Sequence, residues 1–205
     1  MNSDVQFLNN VWRWLSGGME PLGYRPGMTL SQVEQNLQPY ECKRLSDRLL
    51  HVHCPHGLTI EVQERVNRQF RSFSVNCHFR LRGYTSLRQP VSLRFKNGDL
   101  LGRQETRCRA KIDNDATRHV QAVLCSDAQL MALLARLQFR ALTVKADRGE
   151  WVLDIEHFAA SELVSGIPIG NSYQRLSYDQ RVLMIDVMRR AGQLMEDVSS
   201  LSMAA

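Results

Sequence analysis

No stretch of this chain approaches the roughly 18 uninterrupted apolar residues that a membrane-crossing helix requires, so no spanning helix and no membrane partner are expected. A secretory leader would open on a basic run, but Asp4 precedes the first Lys or Arg, Arg13, and a cytoplasmic location is expected. The five cysteines (Cys42, Cys54, Cys77, Cys108, Cys125) are odd in number, scattered, and without a C-x-x-C pair. That spacing argues against a disulfide framework or a structural zinc site and fits reduced thiols. There is no G-x-S-x-G, no P-loop and no dinucleotide fingerprint; Gly166-Ile167-Pro168-Ile169-Gly170 lacks the strand-to-helix setting in which glycines cradle phosphate. No cofactor is called for.

What is present is alternation. From Arg71 to Arg82, Phe73, Val75, Cys77, Phe79 and Leu81 fall on one face, and Ser72, Ser74, Asn76, His78, Arg80 and Arg82 on the other, the period-2 signature of a half-buried central strand. Leu50, Val52 and Cys54 match Val62, Ile60 and Leu58 when the chain folds back about His56, which predicts a hairpin with His51 across from Glu61. The strand 71–82 should join next, most simply with Val62 near Phe73 and Ile60 near Val75. Val91, Leu93 and Phe95 begin a further strand, and Asn97-Gly98 reads as a hairpin turn returning towards Cys108. Ala141 to Ala146 and Trp151 to Phe158 make another hairpin.

Helical spacing predicts helices over about 4–15, 29–37, 127–137 and 177–198, with Ser126-Asp127 and Ser177/Gln180 as caps. The expected fold is a single α+β domain over 1–198: an antiparallel β-meander of about five to seven strands with helices packed on one face, and a disordered tail from 199. The stretch 112–125 is the best candidate for a boundary. Trp14, pointing away from its helix stripe, and the broad apolar girth of helix 177–198 suggest a homodimer.

Three constellations could carry chemistry. His51 and His53, two apart on a strand, project to one side and with Glu61 could hold a metal, although a further ligand is missing. His51, Glu61 and Ser74 look like a triad with the acid wrongly in the middle, since the histidine must stand between nucleophile and carboxylate. Asp154 and Glu156 alternate on one strand as paired carboxylates or simply as its wet side.

Charge carries the strongest hint. Between Glu61 and Lys111 twelve basic residues stand against four acidic ones, an excess of eight, although the whole chain has a formal charge of only +5. Alternation gathers Arg80, Arg82, Arg94, Lys96, Arg107 and Arg109 on the polar side of the sheet, and arginine suits bidentate contact with phosphate or carboxylate. The reading is a non-catalytic cytosolic binding or adaptor domain whose Arg-rich face receives an acidic protein or anionic ligand. Nucleic-acid binding is an alternative, weakened because no outward strand position is aromatic and a base-stacking platform is missing. A metal-dependent enzyme using the His51/His53/Glu61 face is the other.

Overall fold

The structure is a computed structural model and describes residue 21 and residues 23–68, 72–100, 103–166 and 169–201. The predicted helix over 4–15, with Trp14, lies outside these residues. Strand β1 spans Glu41–Ser46, β2 Leu49–His53 and β3 Thr59–Arg68. The β2–β3 hairpin has the expected register, with Leu50 opposite Val62, Val52 opposite Ile60 and His51 opposite Glu61. It turns through Pro55–Gly57, where His56 and Gly57 both take positive φ and the Cys54 N–H donates to Leu58 O at 2.8 Å.

The alternating stretch becomes β4 (Ser72–Tyr84), and its apolar set is buried throughout. Its register against β3 differs from the simplest folding: Val62 faces Phe79, and Val75 faces Val66. Six residues separate Phe79 from Phe73 in the sequence. An even displacement keeps every apolar side chain on the core face, so alternation alone does not distinguish the two pairings. Strand β5 (Val91–Leu100) does pair with β6 (Arg103–Ala110), but Asn97-Gly98 is not their turn. Asn97 faces Thr106 within the ladder, and the chain reverses only after Leu100. The Asn97 amide is engaged elsewhere: Nδ2 donates to Leu137 O at 2.8 Å, and Oδ1 accepts from the Thr106 hydroxyl at 3.0 Å.

Strands β7 (Phe139–Asp147) and β8 (Glu150–Gly166) insert between β4 and β5, giving the order β1-β2-β3-β4-β8-β7-β5-β6. Strand β9 (Ile169–Gln174) pairs with the far half of β8, completing nine antiparallel strands among the described residues, more than the five to seven expected. The fold class is α+β, as the patterning predicts. The helices α1 (Met28–Leu37), α2 (Asp115–Ser126), α3 (Ala128–Arg136) and α4 (Tyr178–Leu201) pack on the apolar face. The stretch 112–125, expected as a boundary, is mostly α2, and its Val120 and Leu124 belong to the common core. Asp127 caps α3 through the Leu130 N–H at 2.7 Å. Helix α4 continues past 198 to Leu201, with Ser199 buried and its hydroxyl 2.7 Å from Met195 O.

Two features organise the dry side. Gly83 on β4 lies beneath the Trp151 indole, where a Cβ would meet the ring at 2.4 Å, so only glycine lets the core's largest side chain lie flat on the sheet. Glu64, inward on β3 and 3 % exposed, accepts from Leu30 N at 3.0 Å, Gly27 N at 3.2 Å and the Tyr24 hydroxyl. The Gly27 cap has no side-chain acceptor of its own, so a carboxylate from the sheet satisfies the first amides of α1 and complements the helix dipole.

Candidate functional site

One register row runs across the polar face: Lys43, His51, Glu61, Arg80, Asp154, Thr143, Arg94 and Arg109, from β1 to β6. Each residue stands opposite the next because all eight strands keep this face outward. Their chemistry divides the row into two regions.

In the β3–β4–β8 region opposite charges meet. Asp154 Oδ1 lies 2.7 Å from His78 Nδ1, and its Oδ2 accepts from Arg80 Nε at 2.8 Å. Arg80 reaches on to Glu61 at 3.3 Å, which also accepts from Arg82 at 3.4 Å, while Asn76 donates to Glu156 at 3.1 Å. The Arg80 side chain is 11 % exposed and that of Asp154 18 %, so these pairs are largely withdrawn from water and must be satisfied by one another. Burial opposes the charged imidazolium of His78, but the hydrogen bond and charge of Asp154, helped by Glu156, more than compensate and raise its pKa above the ordinary 6.5. The Asp154 carboxyl, raised by burial, is brought lower still by His78 and Arg80 and ends below its ordinary value. A depression of about 420 Å³ opens over this network, with Arg65, Arg82, Lys145 and Arg94 on its walls.

Among the described side chains of β5 and β6 the charges on this face are alike. A second depression, of about 310 Å³, is lined by Arg94, Lys96, Asn97, Arg107, Arg109 and Lys111, and none of these residues is acidic. Arg94 lines both depressions, and its Nε is buried without a hydrogen-bond partner among the described residues. Lys96 stands opposite Arg107 and Arg94 opposite Arg109, placing like charges in register, an arrangement that destabilises a bare ladder.

All six basic residues singled out from the sequence thus line one depression or the other, but Arg80 is committed to carboxylates and Arg82 is tied to Glu61. His51 faces Glu61 as expected, whereas His53 is hydrogen-bonded to Thr59 and His78 to Asp154. Among the described residues no three of His, Cys, Asp and Glu are grouped to hold a metal. The triad does not assemble, because Ser74 stands opposite Asn67 and Leu163 rather than beside Glu61. Aromatics are not wholly missing from outward strand positions: Tyr84, on the same alternation as Arg82, is 84 % exposed, and Phe158 lies under Arg140 at 5.6 Å. Neither lines the two depressions. The cysteines are all free, with burial raising Cys54 to about 11 and burial with neighbouring Cys125 raising Cys108 to about 12.

Residues 35–195 match the family described as Protein of unknown function (DUF3156). The chain belongs to that family. The matched span runs from within α1 into α4 and contains every strand and both depressions. No curated protein and no solved structure matches the chain. Within this DUF3156 fold, sequence reasoning placed His78 on the polar face beside Arg80 but overlooked Lys145 and Asp154 as parts of that face. Lys145 and Asp154 were legible as the polar side of the β7–β8 hairpin, but not that this hairpin lies between β4 and β5.

Proposed function

We propose that this chain is a non-catalytic cytosolic binding domain whose Arg-rich sheet face receives an acidic or anionic partner. The β5–β6 region is the contact surface and the β3–β4–β8 network is its rigid floor. The observation that carries the reading is that the described lining of the second depression holds no acid, with Arg94 at its edge carrying a buried nitrogen that has no acceptor among the described residues. Like charges in register on neighbouring strands cost stability, and an oxyanion laid between them removes that cost while accepting charge-assisted hydrogen bonds.

The test is retention on immobilised poly-glutamate over a salt gradient, comparing wild type with Lys96→Glu/Arg109→Glu. Wild type should elute at clearly higher salt than the variant, because exposed attractions of this kind are screened by ions. Equal elution of the two proteins would sink the reading. Tight, salt-dependent capture by generic RNA with none by poly-glutamate would move it to nucleic acid.

A further inference from the structure

Away from the sheet face, the C-terminal end of α1 meets the N-terminal end of α4, and Arg181 is buried between them at 6 % exposure. Its guanidinium carbon lies 5.4 Å from the Tyr40 ring centre and 4.9 Å from that of Tyr178. One terminal nitrogen, Nη1, donates to the Asn36 carbonyl at 2.7 Å and also to the Gln38 carbonyl. Those contacts explain why an arginine ends α1, since it supplies donors to otherwise orphaned carbonyls. They do not account for the rest of the site. Among the described residues the Nε of Arg181 is buried without a partner, and no carboxylate forms an ion pair with it. It also sits in the first turn of a 24-residue helix, where the dipole is positive and a cation is disfavoured.

Beside it is a depression of about 620 Å³ lined by Gln35, Gln38, Arg175, Ser177 and Arg181, among others, with no acidic residue among the described residues of its wall. The first-turn acid of α4, Asp179, is not part of that wall. Ser177 caps the helix, its Oγ accepting the Gln180 N–H at 3.3 Å. Two arginines and the positive end of a long helix therefore converge on one opening.

We propose that this junction binds a phosphate group carried by a small molecule. Arg175 and Arg181 would supply forked charge-assisted hydrogen bonds and the first amides of α4 the remaining donors. The depression lies within the size range of small-ligand sites and exceeds the needs of the phosphate alone, leaving Gln35 and Gln38 to meet polar groups on the rest of the molecule.

The probe is inorganic phosphate, titrated at constant ionic strength into the full, isotope-labelled chain and followed through backbone amide resonances. Saturable shifts should concentrate on Ser177 to Arg181. The exposed Arg175→Ala should weaken the apparent affinity about tenfold without lowering Tm. The sheet-face variant Lys96→Glu/Arg109→Glu should leave these shifts unchanged, which separates this site from the basic sheet face. Arg181→Lys keeps the charge but loses the fork, and should weaken binding even where it folds normally. The proposal is overturned by an absence of shifts at the α4 N-terminus, or by shifts there that Arg175→Ala leaves intact.

Discussion

The two regions of the polar sheet face use the same residue types on the same alternation and arrive at opposite electrostatics. Around β4 and β8, Arg80 meets Asp154 from the sequence-distant β8 and Glu61 from the neighbouring β3, and Arg82 shares Glu61, so these charges are consumed in holding strands together. On β5 and β6, cations face cations, Arg94 with Arg109 and Lys96 with Arg107. Net charge in a sequence window therefore says little about a binding surface; what matters is which charges the register sets against opposite charges and which against like ones.

Removing the acid at the centre of the first region should have the largest effect on that contrast. Asp154→Ala leaves Arg80 with only Glu61 and His78 without its acceptor, and should destabilise the fold by on the order of 3 kcal/mol in denaturant melts. If the comparison is right, the same variant should bind poly-glutamate more strongly than wild type, because its first region then resembles the second. Stability falling by less than about 1 kcal/mol would mean the network is not structural.

Lys96→Glu/Arg109→Glu should do the reverse, lowering retention on poly-glutamate while leaving thermal stability unchanged or slightly raised as cross-strand repulsion is relieved. A lowered Tm would show that these cations, too, are structural.

The histidines supply a pH test. His78, with its pKa raised in the folded state, contributes stability that is present below 6.5 and is lost as pH rises through the folded value. His157 lies buried on the dry side with its pKa lowered by burial, despite its hydrogen bond to Gln180, so stability should fall as pH drops below 6.5. His78→Gln should flatten the neutral-to-alkaline limb of a stability profile and His157→Gln the acidic limb. Profiles unchanged in both variants would contradict these environments.

Arg82→Ala tests the border between the regions. Its side chain is 49 % exposed and its single ion pair is long, so stability should change by less than about 1 kcal/mol. A modest loss of poly-glutamate retention would extend the contact surface towards β4; none would end it at Arg94.

Much of the architecture was legible because alternation is a local property. The β2–β3 register followed from matching apolar sets across a short turn, and β4 was recognisable as a central strand from its own side chains. Alternation puts Glu64 in phase with Ile60 and Val62, but what makes an inward carboxylate tolerable was not legible, since the amides that satisfy it reach it from 34 and 37 positions away. The Asn97-Gly98 signal misled for a related reason: the Asn97 amide is held by Leu137 and Thr106, and tertiary contacts prevail over a turn preference of modest energy.

By itself, the sequence determined which side chains share a face, because successive residues of a strand must point to opposite sides. Only the tertiary structure decided which faces meet. Registers displaced by an even number of residues are equivalent to the apolar pattern, and nothing local distinguishes β8 from β5 as the neighbour of β4. The insertion of β7 and β8 at that place brought Asp154 to Arg80 and left Arg94, Lys96 and Arg109 facing other cations.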